Sequence, residues 1–155
     1  MKFALPIACV VGLLAGCGAP ETQSAAEVEA VAQVLHGTYD RPDSPLSVEP
    51  VVIHDAYAIA GWVQGEMGGR ALLRKQAGSW SIILCAGDAV KEASYLVQTG
   101  MSTATATAIA EALVTAEEGL PAERRAMFSR FGAPVIMNQP SVGERAEHVH
   151  AESTP

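Results

Sequence analysis

Apolar positions along this chain change their spacing as it proceeds, and each change marks a different kind of element. Val28, Val31, Val34 and Leu35 recur at helical spacing and form one stripe. Ser24-Ala-Ala-Glu27 ahead of the stripe reads as a capping box, and Gly37 behind it as the residue that stops the helix. Residues 40–45, rich in proline and aspartate, read as a loop. Strand-like runs then cover 46–54, 57–64, 70–76 and 79–86. Their connections are short: Asp55-Ala56, then 65–69, then Ala77-Gly78. Short connections favour antiparallel neighbours, so the runs predict a four-stranded meander. Trp62 and Trp80, in adjacent hairpins, are expected on one face of it.

Helical spacing returns at Asp88, which is expected to cap a helix over 88–98 closed by Gly100. Ser102 or Thr103 opens a second helix, whose stripe of Ala104, Ala108, Ile109, Ala112, Leu113 and Ala116 suits close packing. Gly119 ends it, and Pro121 is placed as the first residue of a last helix reaching Phe131. Periodicity is lost beyond that point, which predicts a disordered tail over 139–155. The expected fold class is α+β: an N-terminal helix, a four-stranded antiparallel meander and three C-terminal helices, in one domain over 24–138.

The first residues stand apart from that pattern. Lys2 precedes an uncharged, mostly apolar run over 3–14, too short to span a bilayer, and Leu14-Ala15-Gly16-Cys17 resembles the bacterial lipobox. The expectation is a lipoprotein signal peptide over 1–16, acyl chains including palmitate on Cys17, and a tether over 17–23. A multi-chain anchor holds a protein stably on a membrane. Gly18 after the cysteine points to the periplasmic face of an outer membrane.

Charge and cysteine use narrow the partners. The formal net charge is −7, more negative still once Lys2 leaves, and no basic cluster occurs. That argues against nucleic acid as a partner, and it leaves membrane attachment to the lipid. Of the three cysteines, Cys9 leaves with the signal and Cys17 carries lipid. Cys85 is then without a disulfide partner in a compartment that favours disulfides.

No Cys-x-x-Cys, Gly-x-Ser-x-Gly, His-Glu-x-x-His or phosphate-loop pattern is present, so the protein is not expected to be an enzyme. Cys85 just before a helix start has the position of an activated thiol, yet no base accompanies it in sequence. The stretch 61-GWVQGEMGGRALL-73 sets Met67 among glycines at a hairpin tip. Thioether and thiolate are soft ligands and imidazole is intermediate, a donor set that suits Cu(I). Met67, Cys85, His148 and His150 are candidate donors, but their spacing alone makes no metal site. Met127 beside Phe128 reads as core, and His36 as a cation in a last helical turn. Gln64, Glu66 and Arg70 are expected on the same displayed surface, facing a partner.

Residues 57–96 resemble the bacterial family of copper uptake system-associated proteins. Trp62, Gln64, Gly65, Gly68, Gly69, Arg70, Leu72 and Leu73 match its hairpin pattern; Gly78, Trp80, Cys85, Gly87 and Asp88 match the strand that follows. The resemblance extends over about 25–135, through the 40–46 loop, Gly100-Met101-Ser102 and Phe128-Ser129-Arg130-Phe131. It implies an exported protein assisting copper acquisition or delivery beside copper-delivery proteins, with Met67 and Cys85 as the expected ligands and His148 and His150 as auxiliary capture. Members often end in histidine-rich tails, whereas this tail carries His148 and His150. The other expectation is a cystatin-like or nuclear-transport-factor-like adaptor, a helix on a curved sheet holding a partner protein or small molecule without metal.

Overall fold

Helix α1 (Ala25–Tyr39) leads into four strands, β1 (Leu46–His54), β2 (Tyr57–Gln64), β3 (Met67–Gln76) and β4 (Ser79–Ala86). Helices α2 (Ala93–Gln98), α3 (Thr103–Glu118) and α4 (Ala122–Phe128) follow, with 3-10 turns over Asp88–Lys91 and Ser129–Phe131. A short β5 (Val135–Ile136) then closes the described chain. The computed structural model describes residues 24–137. The expected signal peptide, Cys17, the tether over 17–23, His148, His150 and the expected tail over 139–155 lie outside the described residues.

The class is α+β, and the meander has five strands rather than four, ordered β1-β2-β3-β4-β5 with every neighbour antiparallel. The fifth strand pairs Val135 with Cys85 and Ile136 with Leu84. Two residues are too few to show a period-two pattern, which is why the sequence carries no signal for it.

Alternation along the strands sends side chains to two cores. On one face, Val31 and Leu35 of α1 pack on Ala58, Ala60, Ala71 and Leu73. On the other, Ile59, Leu72 and Leu84 meet Leu96, Ile109 and Leu113 from α2 and α3. Trp62 and Trp80 share the α1 face, as their positions in adjacent hairpins predict.

Several boundaries move for identifiable reasons. The capping box does not form: Ser24 makes no side-chain cap bond, and Glu27 instead accepts from Lys75 Nζ at 2.6 Å and Trp80 Nε1 at 2.9 Å. Helix α1 runs past Gly37 to Tyr39, since a glycine inside a helix is only mildly unfavourable. The helix expected over 88–98 breaks at Glu92, whose backbone is extended. Asp88 makes no cap there; its carboxylate takes bonds from Ser129 and Arg70. Ser102 does cap α3, accepting the Thr105 N–H. Pro121 stands one place outside α4.

The largest change concerns 67–69. These residues extend β3 toward its start, and the β2–β3 connection shrinks to Gly65-Glu66, with Gly65 at φ +59°. The glycines after Met67 are strand residues that lack a Cβ for packing. A Cβ on Gly68 would sit 2.8 Å from the Met127 carbonyl oxygen; one on Gly69 would sit 2.9 Å from Phe131 Cβ and Trp62 Cζ2. The chain from α4 into the 3-10 turn passes directly against β3 at this point. It then turns beside the end of β4, where Gly87 N–H donates to Gly132 O at 3.2 Å.

Candidate functional site

Arg70 follows this glycine pair and faces the α2–α4 side. It was expected at the displayed hairpin surface; instead it is 1% exposed. Its Nε and Nη2 donate to the two carboxylate oxygens of Glu117 at 2.5 and 2.8 Å, and Nη1 donates to Gly87 O at 3.0 Å. The Phe128 ring lies 5.2 Å from the guanidinium carbon. A guanidinium matched this fully is a structural post, closed to a partner. Glu117 is 47 residues from Arg70 and was not foreseen; its helical spacing from Ile109 and Leu113 is the one sequence signal that places it on the buried face of α3.

The opposite face holds the other expected residues. Cys85 pairs with Ala71 across β3 and β4, so its side chain joins the α1-side core, where it is 3% exposed. It borders a cavity of about 120 Å³. Tyr39 and Leu46 wall one side, Trp62, Gln64 and Cys85 line the sheet, and Phe131 and Met137 close the far side. Burial pushes the Cys85 thiol up to about 11, only partly offset by the neighbouring Tyr39 hydroxyl. The same burial raises the Tyr39 phenol. The thiol is therefore protonated at neutral pH, which is the reverse of an activated nucleophile.

Met67 stands on the same face of β3 as Ala71 but four residues away, and it is 51% exposed. That separation is about 13 Å along a strand, and the Phe131 side chain packs over Gly69 between the two positions. Two sulfurs on one soft metal lie about 4–5 Å apart at most. The fold therefore does not bring Met67 and Cys85 into one site. It brings Cys85 and Met137 to one cavity instead. Met137 is held there by its N–H bond to Ile83 O at 2.8 Å, and its side chain is 41% exposed. The signal for this methionine was absent, because it depends on β5 docking beside β4.

Gln64, expected to face a partner, lines the cavity and is already engaged. Its Nε2 donates to Tyr39 O and Ser44 O, both at 2.8 Å. Glu66 is exposed in the tight turn, and its carbonyl accepts from Arg130 at 2.8 Å. The Trp62 indole N–H is buried without an acceptor. His36 lies 3.2 Å from Asp40 Oδ2 in the last turn of α1. Met101 is core on the α2–α3 side. Among the described residues no cluster of three or more His, Cys, Asp or Glu has the spacing of a metal site, and no helix is long and apolar enough to cross a membrane.

No protein-family model, curated protein or solved structure matches this chain.

Proposed function

We propose that the protein is a non-enzymatic, lipid-anchored protein of the cell envelope that binds Cu(I) and assists copper acquisition or delivery. Cys85 and Met137 are the protein ligands, in place of the Met67 and Cys85 pair that the resemblance, the hairpin tip and the unpaired thiol suggested. One observation carries the reading: a thiol and a thioether border the same largely apolar cavity, closed by Phe131 and Trp62. Soft sulfur donors in such surroundings select Cu(I) over harder divalent ions. Methionine is flexible enough to close on an ion once the thiol is engaged. His148 and His150 follow Met137 along the chain and serve as auxiliary capture. Attachment through lipid on Cys17 keeps the domain at the membrane while the chain itself contributes no spanning helix among the described residues.

Binding displaces the thiol proton. Because Cys85 titrates near 11, each pH unit below that value costs about tenfold in apparent affinity. The test is metal analysis after Cu(I) loading and anion exchange, with chelator competition at two pH values. One ion per chain, held about tenfold more tightly per pH unit and lost in Cys85→Ser, supports the site. Equal copper retention in wild type and Cys85→Ser removes it.

The second reading is favoured by the unpartnered Trp62 N–H. A buried donor left unmatched is costly. A small organic ligand with an apolar body would fit the same cavity, and a shift of the Trp62 side chain would let its N–H reach an acceptor there. Native mass spectrometry of protein purified without added metal distinguishes the two readings: a stoichiometric organic adduct favours the adaptor.

A further inference from the structure

The two edges of the sheet are finished differently. β1, at one edge, carries Glu49 and Pro50 and a bulge between Val48 and Val51, features that keep another strand from adding there. β5, at the other edge, carries none of them. Val135, Ile136 and Met137 are consecutive large apolar residues, each at least 41% exposed. No charged residue occurs from Phe131 to Met137. The backbone of β5 is also only half used. Met137 N–H donates to Ile83 O at 2.8 Å, and antiparallel pairs alternate between bonded and unbonded. Val135 opposite Cys85 is therefore a bonded pair, and Ile136 opposite Leu84 is the unbonded one between. The N–H and C=O of Ile136 point away from β4, and no described residue meets them.

We propose that β5 is a pairing edge whose occupant is β5 of a second copy, antiparallel and centred on Ile136. A two-fold axis through that point sets Ile136 opposite itself. Its outward N–H and C=O then exchange two bonds with the same groups of the other copy. Val135 stands opposite Met137 of the second copy, and Met137 opposite its Val135. Every exposed apolar side chain of the strand meets another, so the strip is complementary to itself. Charge selects the same occupant. Each copy has a formal net charge of −7, and two such chains meet most readily where neither presents an acid. A charged peptide would find no counter-charge between Phe131 and Met137. Pro134 has no N–H and bounds the ladder on one side. So short a contact buries far less than the roughly 800 Å² per partner of a stable complex, which makes the pairing weak and reversible. Val135 faces the same side of the sheet as Cys85, so Val135 of the second copy covers the outer side of Met137, which closes the cavity. The pairing rests on the strand edge and not on the Cu(I) reading, so the two fail separately.

The experiment is sedimentation equilibrium of the full chain in density-matched detergent, without metal, between about 5 and 500 μM. Wild type is expected to pass from monomer to dimer within that range. Ile136→Lys and Ile136→Glu each set like charges opposite each other across the pair. They leave the β4 ladder intact, because Ile136 makes no bond to it, and both are expected to melt at the wild-type temperature. Each alone is expected to be monomeric throughout. Mixed in equal amounts, they are expected to recover the dimer, since Lys now stands opposite Glu. That recovery is specific to the register. Wild type that stays monomeric overturns the pairing and leaves the edge to the chain's own residues after 137 or to another protein. A dimer that survives in either variant alone overturns it too, by placing the contact elsewhere. So does a mixture of folded variants that fails to recover, which denies that Ile136 meets itself.

Discussion

Arg70 and Cys85 lie almost side by side in the sheet, since Arg70 pairs with Ala86 and Cys85 with Ala71, yet their side chains enter opposite faces. The polar groups at these two positions are treated differently. On the α2–α4 face the Arg70 guanidinium has an acceptor for each of its nitrogens, although Arg124 Nε, over the same Phe128 ring, is buried without one. On the α1 face the Cys85 side chain borders a cavity, and the Trp62 indole N–H is buried without an acceptor among the described residues. A fully matched buried group does structural work; an unmatched one beside a cavity is where binding energy remains available. On the proposed reading, the matched Arg70–Glu117 pair serves stability and the cavity beside Cys85 serves binding.

The strongest way to break the comparison is to unbalance the Arg70 pair. Glu117→Ala leaves a charge buried without its partner and is expected to cost about 3–5 kcal/mol in urea unfolding. Replacing both residues, as Arg70→Met with Glu117→Leu, is expected to recover most of that loss. A Glu117→Ala variant with an unchanged midpoint would mean that the pair is solvated and the α2–α4 face is not sealed.

Gly68→Ala tests the seam between the faces. The new Cβ meets the Met127 backbone carbonyl at 2.8 Å, so α4 must shift, at an expected cost of about 1–3 kcal/mol. A thermal melt at wild-type temperature would place that segment elsewhere.

A pH dependence sharpens the binding side. The Cys85 thiol titrates near 9.0 when unperturbed and about 11 when folded, because burial disfavours the thiolate. The unfolded chain thus loses its proton first, and stability that is intact below pH 9 falls as pH rises toward 11. In Cys85→Ala this part of the alkaline loss is expected to vanish. An unaltered alkaline profile would mean that the thiol is open to water.

The smallest expected effect concerns the tryptophans. Trp80→Phe removes the bond to Glu27 and is expected to cost about 0.5–1.5 kcal/mol. Trp62→Phe removes an unmatched donor and is expected to be near neutral or slightly stabilising. Equal losses in the two variants would show that Trp62 N–H has a partner after all.

The legible and illegible parts of the molecule divide along the same line of physics. β1, β2 and β4 and the Ser102 cap of α3 stand where local pattern places them, because alternation and capping are properties of neighbouring residues. The role of Gly68 and Gly69 was hidden. A glycine needed for a turn and a glycine needed for close packing look alike in a sequence, and the packing partners here are Met127 and Phe131. Arg70 was misplaced for a related reason: a charged residue after a glycine pair reads as surface unless its distant acid is known. The site was half legible. Cys85 stood out as an unpaired thiol, but its neighbour Met137 depends on β5, and Gln64 appeared free because the loop it holds comes earlier in the chain.

The central claim, that the α1 face binds through Cys85 and Met137, is tested most directly by Cu(I) competition against a chelator in Cys85→Ser, Met137→Leu and Met67→Leu. The account predicts clear weakening in the first two and wild-type affinity in Met67→Leu. Weakening in Met67→Leu with wild-type affinity in Met137→Leu would contradict it, and would place the metal at the hairpin start outside the cavity.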